Sequence, residues 1–196
     1  MRTTRQWIQS DGFQLLLLIL LMTVVRSSLA DHYYVPTGSM ENSLIPGDRV
    51  LVDKTAYGFR VPLTTIDVLG ERSPDRGEVA VFDSPVDGTR LIKRIVAVGG
   101  DAVVLENGRL TIDGEPLGNS AVEHFGDREA LLNLHDGGGP DIPYLLVPQG
   151  MVLALGDHRG NSLDGRYFGL IAEERLIGRA IGIYYRRGEG LVWRGL

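Results

Sequence analysis

Thr89-Arg-Leu-Ile-Lys-Arg-Ile-Val-Ala-Val98 is the longest β-rich run in the chain, and Gly99-Gly100 ends it. Its branched side chains and short length suit a strand rather than a helix. Shorter runs of the same kind surround it. Arg49-Val-Leu-Val-Asp53 and Glu78-Val-Ala-Val-Phe82 come before; strand character returns at 144–147, 151–155 and 176–185. Residues 101–106 and 109–113 are joined by Asn107-Gly108. That pair favours a type I′ hairpin turn, where both central residues take φ > 0. The sum is a mainly β domain of antiparallel hairpins. Residues 116–142 lose the periodicity and hold Gly137-Gly138-Gly139-Pro140, which reads as a flexible, variable surface excursion.

Composition narrows the function. The 196 residues carry a net charge of -5, and the part after residue 30 is more acidic still, with no basic stripe. Nucleic acid is therefore excluded as a partner. With no cysteine there is no disulfide framework, no thiolate nucleophile and no Cys-based zinc site.

The N-terminus differs from the rest. Arg2, Arg5 and Trp7 precede Phe-Gln-Leu-Leu-Leu-Leu-Ile-Leu-Leu-Met-Thr-Val-Val (13–25), followed by Arg26 and Ser-Ser-Leu-Ala. Roughly 20 residues span a bilayer. Residues 13–30 approach that length if Arg26 snorkels, with Trp7, Tyr33 and Tyr34 as interfacial aromatics. The expected organisation is a cytoplasmic 1–12, a transmembrane anchor at 13–30 and an extracytoplasmic domain over 31–196. A cleavable secretory signal ending at Ser28-Leu29-Ala30 is the competing reading.

The chemistry starts from lysine. Only Lys54 and Lys93 stand against eighteen arginines. A lysine retained in such a background points to a nitrogen that must lose its proton near neutrality. Lys54 follows a strand and precedes Tyr57-Gly58, an ordinary exposed turn. Lys93 sits inside the apolar run, sharing a strand face with Leu91, Ile95 and Ala97. Burial there lowers the amine's pKa and makes it a candidate general base; the alternative is a lysine that snorkels to water. The four histidines fall in loops or at turn signals and read as surface residues. Ser39, in Val35-Pro-Thr-Gly-Ser-Met40, is the candidate nucleophile. Gly38 allows a tight turn, and the Thr37 hydroxyl and Ser39 N–H suit an oxyanion hole. In isolation this motif is also an ordinary turn.

Three stretches, in order, resemble a known family. Tyr33-Tyr-Val-Pro-Thr-Gly-Ser-Met40 with Leu44-Ile-Pro-Gly-Asp-Arg-Val-Leu-Val-Asp-Lys54 resembles the serine box of bacterial type I signal peptidases. Residues 76–101 resemble their lysine box, and Leu153-Ala-Leu-Gly-Asp-His-Arg-Gly-Asn-Ser-Leu-Asp-Gly-Arg166 their C-terminal box. The resemblance implies a signal-peptidase-like antiparallel β domain with one N-terminal transmembrane helix, at the bacterial inner membrane with the catalytic domain outside. It implies a serine endopeptidase that removes signal peptides from exported preproteins at small-x-small sites, without cofactor or metal. Ser39 matches the nucleophile, Lys93 the general base and Thr37 the oxyanion-hole hydroxyl. Ser162 matches a hydroxyl that orients the lysine amine; Asp164 and Arg166 match a supporting ion pair, or else form an ordinary surface pair. The lipid bilayer is the other implied partner. The chain departs from the pattern at His158, Gly160, Gly165 and Glu41-Asn42-Ser43. Two alternatives stand beside this: a Ser/Lys peptidase dedicated to one substrate, of pilin or conjugation type, and a non-catalytic membrane-tethered β module. Leu191-Val-Trp193 reads as a lipid contact or as core.

Overall fold

The computed structural model describes residues 11–28, 30–60, 67–69, 72–118 and 121–196. After an N-terminal helix, Asp11–Ser28, come β1 (Ala30–Tyr34), β2 (Arg49–Asp53), β3 (Phe59–Arg60), β4 (Asp67–Leu69), β5 (Val79–Asp83), β6 (Arg90–Ala97), β7 (Ala102–Glu106) and β8 (Arg109–Ile112). Then follow β9 (Glu115–Pro116), β10 (Val122–Phe125), β11 (Arg128–Leu131), β12 (Ile142–Leu146), β13 (Met151–Leu155), a one-turn helix Gly165–Phe168, β14 (Ile171–Ala172), β15 (Leu176–Arg186) and β16 (Gly190–Gly195).

The mainly β expectation holds. The main sheet has the order β1-β2-β15-β5-β6-β13-β14, with β16 also on β15. Its strands pair antiparallel. A smaller sheet, β12-β7-β8-β9, contains the expected hairpin: Glu106 faces Arg109, with Asn107 at φ 50° and Gly108 at 77°. Both faces of the main sheet are covered. Val79 and Val81 pack on one side with Val50, Val52 and Ile183. Ala80 and Phe82 pack on the other with Ile95, Ala154 and Ile171. Adjacent residues of one strand thus feed opposite cores, as a period of two requires.

Five expectations change. The helix begins before residue 13 and ends at Ser28, because Ala30 already pairs with Asp53 in the sheet. At about 1.5 Å per residue its 18 residues reach about 27 Å. Asp11, Gln14 and Arg26 interrupt its apolar character, and among the described residues no helix is long and apolar enough to cross a membrane. Arg2, Arg5, Trp7 and Leu29 lie outside the described residues.

Second, residues 116–142 are not simply an excursion. They contribute β10, β11 and the start of β12. Two of the glycines at 137–139 serve close approach: a Cβ on Gly138 would lie 2.1 Å from the Asn107 carbonyl carbon, and one on Gly139 2.6 Å from the Arg159 carbonyl oxygen. Third, Ala97 leaves the Lys93 face and joins the core of the smaller sheet, where a register shift between Leu153 and Ala154 breaks the alternation. Fourth, His32 and His124 sit in strands rather than loops, and His158 is buried at 6% exposure. Fifth, Trp193 is not core: it is 62% exposed and Leu191 85%.

Candidate active site

The turn that carries Ser39 is closed at its base. Val35 N donates to Asp48 O, and Gly47 N donates to Val35 O, both at 2.9 Å. Met40 and Leu44, fully buried, pin the turn into the core shared by β2, β5 and β15. Asp48 is fixed by Arg186 of β15, which donates to it from Nη2 at 2.6 Å and from Nε at 3.0 Å. The same guanidinium donates to Ser43 O at 3.2 Å. Ser39 therefore sits, half-buried, on a turn that is held at both ends.

Lys93 approaches from the sheet. It lies in β6 opposite Ala80 of β5. On the other side β13 ends at Leu155, opposite Arg94, so the segment after β13 runs directly past Lys93. Leu91 and Ile95 share its face, as the alternation predicts. The amine donates to Ser39 Oγ at 2.5 Å, and Lys93 is 3% exposed. Burial lowers its pKa to about 8; the nearby Asp164 and Asp157 carboxylates pull it back up, and Arg166 pushes it further down.

Residues 156–166 wrap both groups. His158 N donates to the Ser39 carbonyl at 3.1 Å. Gly156 passes so close that a Cβ would lie 2.4 Å from that carbonyl oxygen and 2.2 Å from Ser162 Oγ. Gly160 and Gly165 have the same reason: added carbons would meet Asp136 O at 2.3 Å and Leu153 Cδ1 at 2.7 Å. Asp164 and Arg166 form a bidentate pair at 2.8 Å, with both side chains almost wholly enclosed, not the surface pair that was the alternative. Burial alone would raise the Asp164 carboxyl, but Arg166 and the Gly156 N–H hold it below the usual carboxylate range.

Ser162 departs from expectation. Its Oγ is buried without a partner at hydrogen-bonding geometry, so it does not bond the Lys93 amine. It lies close enough to Asp164 to help hold that carboxylate low. Thr37 is exposed, two residues before Ser39. Lys54 stands in the turn after β2, half-buried, away from the strand interior that Lys93 occupies.

Sequence reading missed one neighbour of the dyad. Arg94 pairs with buried Asp157 through Nε at 2.9 Å and Nη2 at 2.7 Å, and reaches Ser43 Oγ at 3.0 Å. The available signal was the adjacency of Arg94 to Lys93 in an apolar run. A charge on the opposite strand face must find its own counterion.

The family described as signal peptidase, peptidase S26, matches residues 5–185. A signal peptidase I of Pseudomonas aeruginosa is 30% identical over 195 residues, covering 85% of this chain and 68% of its own length. A probable signal peptidase I-1 of Synechocystis sp. is 30% identical over 176 residues, covering 90% and 82%. A crystal structure of a signal peptidase I from Enterococcus faecalis V583 aligns at 28% identity and TM-score 0.40, over 55% of this chain and 97% of that one.

Proposed function

Since the chain belongs to the signal peptidase family, peptidase S26, we propose that it removes signal peptides through Ser39 as nucleophile and Lys93 as general base. The chain is a serine peptidase acting on signal peptides; the finer assignment rests on the enclosed 2.5 Å contact between the two side chains. A neutral Lys93 Nζ takes the Ser39 Oγ proton as Oγ attacks the scissile carbonyl. The Ser39 N–H and Thr37 hydroxyl donate to the oxyanion. The ammonium then returns its proton to the leaving amine, and the acyl-Ser39 ester is opened by water that Lys93 deprotonates. Asp164 and Arg166, as a neutral pair overall, let a lysine stay buried beside them without a net counter-charge.

The pH dependence follows from the sign of the Lys93 shift. The active form is the unprotonated one, so kcat/KM for preprotein cleavage in detergent should fall about tenfold per unit below pH about 8 and level off above it. An acid limb near pH 10, or none, would remove Lys93 as the base. The substrate should be an exported preprotein with small residues at the first and third positions before the cut. Cleavage of one dedicated substrate only would favour the specialised peptidase.

The N-terminal helix is read as a retained anchor in the bacterial inner membrane, with the peptidase domain outside. Leu15 to Ile19 and Met22 of the helix are more than half exposed, as are Trp193 and Leu191. Apolar surface of this extent favours a lipid environment. β1 starts directly after the helix, which keeps the catalytic turn near the membrane surface. In alkaline carbonate extraction the full chain should stay with the membrane. Leu17→Asp with Ile19→Asp should release it, since two carboxylates at mid-helix cost about 5 kcal/mol together. Retention of the double variant would overturn the anchor.

A further inference from the structure

His158 stands buried between two carboxylates. Its Nε2 is 2.9 Å from Asp136 Oδ2, and its Nδ1 is 3.5 Å from Glu41 Oε2. Neither nitrogen has a partner at full hydrogen-bond geometry, so both are close polar contacts. Ionised carboxylates only accept, so the imidazole is the group between them that can donate.

Each neighbour belongs to a different part of the site. Glu41 closes the nucleophile turn: its N–H donates to Gly38 O at 3.0 Å, and its carboxylate lies 2.5 Å from where a Cβ on Gly38 would be. Asp136 belongs to the Gly-rich loop, which reaches His158 because Gly160 has no side chain to hold it off. His158 itself donates its backbone N–H to Ser39 O. Glu41, His158 and Gly160 are also positions where this chain departs from the signal peptidase pattern, and here they meet. The other charges on the same segment are engaged elsewhere: Asp157 with Arg94, Arg159 with Glu123, and Asp164 with Arg166.

We propose that His158 is a positioning residue: its ring ties Glu41 of the nucleophile turn to Asp136 of the Gly-rich loop, and so holds Ser39 within reach of Lys93. The inference rests on the reading of Ser39 as nucleophile.

The test compares full-length wild type with His158→Asn, Glu41→Gln, Asp136→Asn and the His158→Asn/Glu41→Gln double variant in detergent. Each single variant should lose about tenfold in kcat, with KM unchanged. The double variant should be no worse than the worse single one, because both remove the same contact. Glu41 and Asp136 are part-exposed, so their variants remain informative if His158→Asn folds poorly. Additive losses, unchanged kcat, or a loss in KM alone would each overturn the tie. Ser39→Ala is assayed alongside. Activity that survives it defeats the nucleophile reading, whereas a dead Ser39→Ala with additive losses in the double variant defeats only the role of His158.

Discussion

Lys93→Arg should abolish preprotein cleavage, with a loss of at least about a thousandfold in kcat/KM. The substitution keeps the charge but not the chemistry. A guanidinium stays protonated at any pH the protein survives, so it cannot take the Ser39 proton. It must also fit a larger planar head into a site that leaves Lys93 only 3% exposed. Ser39→Ala should be equally inactive, and the two losses should not add, because each removes the same step. Retention of a tenth of wild-type activity by Lys93→Arg would sink the assigned base. Stability gives an independent reading of the same residue. Its pKa is about 8 in the fold against an ordinary 10.5. Between those values the unfolded chain holds a proton that the native one lacks, so stability rises with pH across that window. Below pH 8 both states are protonated and the native state carries the full cost, about 3 kcal/mol. Lys93→Met should therefore unfold at higher denaturant than wild type at neutral pH, and lose that advantage above pH about 10. Greater sensitivity at neutral pH would mean that the amine is not held at a cost.

Arg166→Leu should be the most damaging change outside the dyad. It leaves the Asp164 carboxylate enclosed without its cation, and breaking such a buried pair costs about 3–5 kcal/mol. It also removes the bond from Arg166 Nη1 to Gly138 O, at 2.7 Å, that fastens the Gly-rich loop. Asp164→Asn strips the carboxylate charge from the same pair. The two variants should move the acid limb of kcat/KM in opposite directions. Arg166 lowers the Lys93 pKa, so its loss shifts the limb up; Asp164 raises it, so its loss shifts the limb down. Urea melts with pH profiles on both variants check this. Shifts of the same sign would show that the limb does not report Lys93.

Several features of the site could be read before any fold was known, and for a local reason. Lys93 announced itself by standing in a strand-like apolar run, and alternation correctly put Leu91 and Ile95 beside it. The same rule failed at Ala97, because a register shift in a neighbouring strand is invisible in the sequence of this one. The resemblance puts Ser162 at the amine, yet its hydroxyl lies by Asp164. The glycines at 137–139 read as slack, and only contact with Asn107 and Arg159 shows that a side chain would not fit at Gly138 or Gly139. His158 was read as a surface residue, since nothing near it in sequence reveals Asp136 on one side and Glu41 on the other.

Sequence alone determined the β class, the Asn107-Gly108 turn and the order of the three boxes, and it singled out Ser39 and Lys93 as candidates, because strand periodicity, turn chemistry and motifs are written within a few neighbouring residues. Tertiary structure decided which strands are neighbours and which charges are partners. Asp48 meets Arg186 across 138 positions, and the Lys93 amine meets Ser39 across 54. A buried charge accepts only the counterion that the packed chain brings to it, and no local pattern encodes that choice.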